Sequence, residues 1–291
     1  MSHIEQLFGT FPHLKVSVIG DVMLDTYLWG QVDRISPEAP VPIVAIGRKE
    51  QRIGGAGNVA LNLVALGAKT SIFSVIGSDV SGNDLKSLFL KNHIDTGGLV
   101  VSRERITTEK TRIISRNQQM LRLDQEDRDD LSPQDESALL QRFEDHVRNN
   151  TPDVVIFEDY DKGVLTPKII RSLLDLCREK GIFTAVDPKR RSFFDHRGVG
   201  LFKPNLKEVR EALNKMPEPV SLGSLSEMHG SLEKKLGHSI SLITLSEHGV
   251  FYQRGSESAI MPSHVRNIAD VSGAGDTVIR SEEHTSELQS H

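Results

Sequence analysis

The sequence predicts an α/β protein built on a doubly wound, mainly parallel sheet, with a small β lid. Three observations predict it. From Ser132 onward, short β-branched runs alternate with amphipathic helical stretches, the rhythm of parallel strands joined by crossover helices. Carboxylates, lysines and amides follow directly on the ends of those runs, where open α/β sheets bind ligands. Residues 27–46 and 107–124 break the rhythm, being β-patterned but polar, and suit a flap rather than a central strand.

The chain has 291 residues, 37% hydrophobic and 26% charged, enough for one large α/β domain with a sizeable core. Its net charge of -5 and the lack of a Lys/Arg run argue against nucleic acid or an anionic membrane as partner. No apolar run reaches membrane-spanning length, and the N-terminal residues lack a signal-like apolar stretch; the expectation is a cytoplasmic protein. The one cysteine, Cys177, lies on an apolar helix face and is expected in the core.

In chain order, residues 15–20 (KVSVIG) read as a buried strand, followed at once by Asp21 and Asp25. Residues 27–46 hold Trp29, Pro37, Pro40 and Pro42 among alternating apolar residues, a separate or edge sheet. Gly54-Gly55-Ala56-Gly57-Asn58 opens a helix that stops at Gly67. With no Gly-Lys-Ser/Thr it is not a P-loop, and no strand is expected immediately before it to make a dinucleotide fingerprint. It suits close backbone approach to a sugar with Asn58 facing hydroxyls, and equally a plain helix-start turn. A strand at 70–77 and a helix at 81–92 follow. Residues 107–124 read as a hairpin about Arg116-Asn117-Gln118; Lys110, Arg112, Arg116 and Arg122 offer a grip on an anionic substrate, or a solvated face.

Ser132-Pro133 and Thr166-Pro167 are helix starts, with strands at 153–157 and 182–186 ending in Glu158-Asp159 and Asp187-Pro188-Lys189. A short strand at 201–203 leads to Pro204-Asn205 and a helix over 205–213. A strand at 239–245 precedes Ser246-Glu247-His248-Gly249, and a hairpin is expected over 250–253 and 258–261. Asp21, Asp159, Lys189, Asn205 and Thr244 thus fall at or after strand ends.

The chemistry concentrates in Asp270-Val271-Ser272-Gly273-Ala274-Gly275-Asp276-Thr277. Glycines before an apolar helix start expose amides to an anion, and Asp276 in the first turn is placed to take a proton from an attacking hydroxyl. A tight turn with a dipole-stabilising aspartate has the same pattern.

Together, Gly54–Asn58, Asn205-x-x-Glu208 and Asp270–Asp276 resemble the motifs of the ribokinase-like (PfkB) carbohydrate kinases, over roughly 16–279. Within that family, Gly20-Asp21-Val22-Met23-Leu24-Asp25, the segment RISPEAPVP at 34–42 and Arg116-Asn117-Gln118-Gln119 resemble the branch that phosphorylates the anomeric C1 hydroxyl of D-glycero-β-D-manno-heptose 7-phosphate. The resemblance implies a kinase using ATP and Mg²⁺, with K⁺ as a monovalent activator. It makes Asp276 the base, and Gly273, Ala274 and Gly275 the anion hole. Asp21, Asp25, Gly55, Asn58, Lys110, Arg112 and Lys162 would bind the sugar phosphate; Lys162 also fits an ion pair within its acidic loop. Lys189, Asn205, Thr244 and Gly249 would face the nucleotide together with Gly273 and Gly275. Asn205 and Glu208 would organise Mg²⁺ through water, although a capping pair has the same spacing, and Asp270 would serve the monovalent cation. The lid implies a homodimer. Another sugar or sugar-phosphate kinase of the family is the alternative, and a non-catalytic binding protein a second.

From Arg280 the chain reads RSEEHTSELQSH, in which Leu288 is the only large apolar residue, so the helix opening at Gly273 has nothing to dock with. The string resembles a translated sequencing adapter. The expectation is therefore a kinase domain over 1–279, incomplete at its C-terminus, with a non-native tail at 280–291; in some family members a nucleotidyltransferase domain follows.

Overall fold

The structure, a computed structural model, describes residues 3–263 apart from Asn117. Helix α1 (His3–Thr10) leads into β1 (Lys15–Gly20). Strands β2 (Val22–Ile35) and β3 (Pro42–Gly55) then form a long hairpin that returns to α2 (Ala56–Ala65). The units β4 (Lys69–Gly77), α3 (Val80–Lys91) and β5 (Asp95–Ser102) precede a second hairpin, β6 (Glu109–Ser115) and β7 (Gln118–Gln125). After these come α4 (Pro133–Asn150), β8 (Val154–Glu158), α5 (Pro167–Glu179), β9 (Phe183–Asp187) and β10 (Leu201–Phe202). Then follow α6 (Leu206–Ala212), α7 (Leu222–Leu236), β11 (Ile240–Thr244), β12 (Val250–Arg254) and β13 (Glu257–Met261).

The main sheet runs β13-β12-β11-β10-β9-β8-β1-β4-β5. It is parallel from β11 to β5, and the β12–β13 hairpin adds antiparallel strands at one edge. Strand β1 steps outward to β4 and β5, whereas β8 steps the other way to β9 and β10, so the order reverses between β1 and β8. Open sheets bind ligands at such a reversal, beyond the strand C-termini.

Each face is sealed by helices whose apolar residues recur at helical spacing. On one side α2 and α3 bury Val59, Leu63, Leu85 and Phe89. On the other, α4, α5 and α7 bury Phe143, Ile169, Leu173, Cys177, Leu225 and Leu232. Ser132 and Thr166 cap α4 and α5 by accepting from the Asp135 and Ile169 amides, with proline in the first turn of each. Cys177 is fully buried, and burial pushes its thiol up to about 12.

The second sheet runs β3-β2-β6-β7. Its extent corrects the sequence expectation: the first lid hairpin covers 22–55 rather than 27–46, and the second ends at Gln125. Strand β3 therefore abuts α2 directly, against the expectation that no strand precedes the Gly-rich stretch. The polar run Arg48-Lys49-Glu50-Gln51-Arg52 hid this strand, because both its faces stay wet until Ile53 reaches the core. Helix α7 was not legible either, its apolar pattern being interrupted by Gly223 and Gly230, nor was β5, which carries Gly97-Gly98.

Candidate functional site

Where the lid rises from the main sheet, a cleft of about 460 Å³ opens over the strand C-termini. It has two chemically distinct ends. The lid end is lined by Asp25 and Tyr27 of β2, Arg52 and Gly54-Gly55 of β3, Asn58 of α2, and Lys110 and Arg112 of β6. Tyr160, Asp187, Lys189, Lys203, Asn205, Glu208 and Thr244 line the sheet end.

Register fixes the lid end. Asp25 pairs across to Arg52 on one side and to Lys110 on the other. Arg112 Nη1 donates to Asp25 Oδ1 at 2.5 Å. Burial opposes the Arg112 charge, but Asp25 more than offsets it, and the guanidinium pKa rises above its ordinary value. The guanidinia of Arg52 and Arg112 lie 4.8 and 5.3 Å from the Tyr27 ring centre, so cation–π contacts hold both. Lys110 is pushed below its ordinary value, first by burial and then by Lys162.

Glycine is required at the turn into α2. A Cβ on Gly54 would stand 2.2 Å from Asp25 Oδ2, and one on Gly55 2.3 Å from the Asp21 carbonyl oxygen. Gly55 also adopts a φ of 61°. The two glycines bring the chain against both aspartates.

At the sheet end, Asn205 and Glu208 form a reciprocal capping box at the start of α6. The capping alternative for this pair is thus realised, but Glu208 keeps Oε1 for Lys189, whose Nζ lies 3.2 Å away. Lys189 also reaches Asp187 Oδ1 at 3.3 Å, and Lys203 Nζ meets Asp187 Oδ2 at 2.7 Å. Burial works against the Lys189 charge, yet Asp187 and Glu208 raise its pKa above the ordinary lysine value. The isolated bridge between Asn205 and Thr244 sets β11's end beside the cap.

Of the sequence-predicted residues, Asp25, Gly55, Asn58, Lys110, Arg112, Lys189, Asn205, Glu208 and Thr244 meet around this cleft. Three others do not line it. Asp21 is 1% exposed and braces the following loop, accepting from the amides of Tyr160, Lys162 and Val164 at 2.8, 3.2 and 3.1 Å. Burial, and then Asp159, push its carboxyl up to about 6, against the pull of those three amides. Lys162 is held 2.8 Å from Glu126 Oε2 at the lid root, so it forms an ion pair, but with the residue after β7 rather than within its own acidic loop as the alternative had it. Burial opposes the Glu126 charge, but Lys162 and Arg128 hold its pKa below the ordinary value. Gly249 serves the turn after β11, where a φ of 90° and a Met261 carbonyl 2.0 Å from any Cβ exclude a side chain. Asp270, Gly273, Ala274, Gly275 and Asp276 lie outside the described residues.

Sequence inspection missed Tyr27, Arg52, Tyr160, Asp187 and Lys203 as cleft residues. Asp187 and Lys203 carried a signal, since each stands at a strand end directly before a proline. Arg52 and Tyr27 did not, because only the strand register shows which lid residues face inward.

This arrangement of sheet, helices and lid is a ribokinase-like α/β fold. It is similar to Escherichia coli phosphofructokinase-2, with a TM-score of 0.73 over 92% of this chain and 85% of that one, at 16% identity. A structure of the same enzyme in complex with potassium also gives 0.73, covering 92% and 84% at 16% identity. At such identities the likeness bears on the fold alone.

The chain belongs to the pfkB family of carbohydrate kinases, whose model matches residues 13–279. It is 40% identical over 279 residues to the bifunctional protein HldE of Geobacter sulfurreducens, covering 95% of this chain and 56% of that protein. It is equally 40% identical over 267 residues to HldE of Aliarcobacter butzleri, covering 92% and 55%. The chain therefore spans about half the length of the curated relatives it matches.

Proposed function

We propose that the protein transfers the γ-phosphoryl group of ATP to the C1 hydroxyl of D-glycero-β-D-manno-heptose 7-phosphate, giving the 1,7-bisphosphate used for ADP-heptose and the lipopolysaccharide core. The observation that carries this reading is the lid end of the cleft. There Asp25 and Asn58, suited to sugar hydroxyls, stand beside Lys110 and Arg112, suited to a phosphate, in a chain 40% identical to HldE proteins.

Asp25, Gly55 and Asn58 orient the sugar, while Lys110 and Arg112 hold its 7-phosphate. Asp276 removes the C1 hydroxyl proton as that oxygen attacks the γ-phosphorus and the bond to the ADP oxygen breaks. The amides of Gly273, Ala274 and Gly275 stabilise the charge on the phosphoryl group in transit. Lys189, Asn205 and Thr244 serve the nucleotide side, Gly249 shapes the turn after β11, and Asp270 serves a K⁺ site. Asp21 and Lys162 act on the sugar at one remove, through the loop and lid root that they brace. Mg²⁺ is held in such sites by one or two carboxylates plus substrate phosphates, and Glu208 with Asn205, close to Asp187, fits that demand through water. The ion would neutralise charge on the phosphates. Lid strands pair two subunits in the cytoplasm. Residues 280–291 are foreign to the domain, a reading supported by the end of the family match at residue 279.

The test is ADP release with heptose 7-phosphate in the presence of Mg²⁺ and K⁺, in the full chain and in a variant lacking residues 280–291. Turnover with heptose 7-phosphate at least tenfold above fructose 6-phosphate is expected. Preference for another sugar phosphate overturns the substrate assignment, and no turnover with any sugar overturns the kinase assignment.

A further inference from the structure

The lid has a rear face. Side chains of a strand alternate between its two sides, so Asp25, Tyr27, Lys110 and Arg112, which line the cleft, leave Thr26, Glu109 and Thr111 directed behind it. Register sets Gln51 of β3 beside Thr26 on that same side. Helix α3 meets the lid there through polar groups. Gln51 Nε2 donates to Asp84 Oδ2 at 2.9 Å.

Glu109 holds the central place in this junction. Its Oε1 accepts from the Thr26 hydroxyl at 2.6 Å and its Oε2 from the Ser81 hydroxyl at 2.5 Å. Thr111 adds a longer contact to Oε1 at 3.4 Å. Among the described residues no cation pairs with this carboxylate; its partners are hydroxyls. One side chain therefore joins β2 to β6 within the lid and, through Ser81, fastens both to α3, by short hydrogen bonds to a charged acceptor.

The anchor on α3 is itself fixed. Asp79 caps the helix by accepting from the Gly82 amide at 2.7 Å, and its other oxygen accepts from the Thr107 amide, also at 2.7 Å. Ser81 is thus held against the stretch that leads into β6, two residues before Glu109. On the cleft side, Thr26 directly follows Asp25 and Glu109 directly precedes Lys110, and those two cleft residues pair across β2 and β6. Any shift of the Glu109 junction passes to both through a single peptide unit.

We propose that Glu109 is a positioning residue for the sugar phosphate: by tying Thr26 and Ser81 together behind the lid, it sets Asp25 and Lys110 over the cleft. The inference rests on the kinase reading above, which puts the sugar phosphate at those two residues, and adds a side chain that touches neither substrate.

The test compares Glu109→Ala, Glu109→Gln and Ser81→Ala with wild type in the full chain, by steady-state kinetics with heptose 7-phosphate and ATP varied in turn, beside thermal melts. Misplacing a reacting group by about 1 Å loses on the order of 10²-fold in rate. Glu109→Ala is expected to lower kcat/KM for the sugar phosphate about tenfold or more, while KM for ATP stays within about twofold. Glutamine keeps both ties, since its carbonyl accepts from Thr26 and its amide donates to the Ser81 hydroxyl. Glu109→Gln should therefore return to within about threefold of wild type. Because Glu109→Ala can fail to fold, Ser81→Ala cuts the tie to α3 alone and should lose about threefold or more in the same constant. The two alanine variants combined should lose less than the product of their separate losses, because they break one chain of contacts. A purely structural role predicts lower melting temperatures with wild-type kinetic constants, and that result overturns the proposal. Equal losses toward sugar phosphate and ATP, or a Glu109→Gln protein as impaired as Glu109→Ala, overturn it as well. A wild-type chain that turns over no sugar phosphate overturns the kinase reading, and the proposal falls with it.

Discussion

Gly54→Ala adds one methyl group where the lid meets α2, and its effect follows from the geometry. The new Cβ would lie 2.2 Å from Asp25 Oδ2 and 2.8 Å from Met23 Cγ. Ordinary contact begins near 3.4 Å, so the Asp25 carboxylate must retreat by roughly 1 Å. It cannot do so freely, because Arg112 holds its other oxygen at 2.5 Å and the strand register opposite Gly54 is fixed at Met23. Overpacking of this kind costs about 2 kcal/mol, or roughly 4–8 °C in Tm for a domain of this size. A reacting substrate misplaced by about 1 Å loses on the order of 10²-fold in rate. We therefore expect kcat/KM for the sugar phosphate to fall about 10²-fold while KM for ATP stays within about twofold. Gly57→Ala is the matched control, since its Cβ would meet Ile53 Cγ2 at 2.4 Å and Phe89 Cε1 at 2.8 Å, in the core rather than the cleft. It should lose comparable stability and keep its sugar KM within about threefold. Steady-state kinetics beside thermal melts separates the two variants. A Gly54→Ala protein with wild-type sugar kinetics would refute the placement of Asp25 at the sugar.

The buried histidines predict a pH dependence of stability. Burial depresses His196 to about 3 and His238 to about 4, from an ordinary 6.5. Between those values the unfolded chain binds more protons, so the stability is present above pH 6.5 and is lost as pH falls toward the folded values. From pH 6.5 to 5 each histidine costs about 2 kcal/mol, read as a lower urea midpoint at pH 5, and His238→Gln should remove about half of that drop. A pH 5 midpoint equal in wild type and variant would contradict the assignment. Asp21 runs the other way: its raised carboxyl contributes stability below 3.8 that is lost as pH rises through about 6, so Asp21→Asn should flatten that smaller slope. Asp276→Asn should lower kcat on the order of 10²–10⁴-fold with little change in nucleotide KM, and a kcat near wild type would remove it as the base. Lys162→Met strips the half-buried Glu126 of one of its two cation partners and should cost about 1 kcal/mol in a denaturant titration, with sugar KM within about threefold. A tenfold rise in that KM at unchanged stability would put the Lys162 ammonium at the sugar after all.

What the sequence revealed follows from how local each signal is. The βα rhythm after Ser132 depends on runs of Val, Ile and Leu with adjacent caps, and among the described residues each strand and helix announced there formed in place. Strand-end polarity likewise picked out Lys189, Asn205 and Thr244, because in a parallel sheet the strand C-termini open toward the ligand side. The lid resisted for the opposite reason. Its strands are wet on long stretches, so Arg48–Arg52 had no apolar alternation to betray a strand, and Arg52 gained meaning only through its register with Asp25. Asp21 shows a third case. A carboxylate at a strand end looks equally suited to a sugar or to a loop, and only the positions of the Tyr160, Lys162 and Val164 amides distinguish the two.

The central claim is that the cations of the lid and the carboxylates at its root select a phosphorylated heptose. Comparing ADP release with heptose 7-phosphate against the same sugar lacking the 7-phosphate, in wild type and Arg112→Met, tests it most directly. The account predicts that wild type favours the phosphorylated sugar by about tenfold or more and that Arg112→Met removes most of that preference. Equal turnover of both sugars, or a preference that survives Arg112→Met intact, would contradict it.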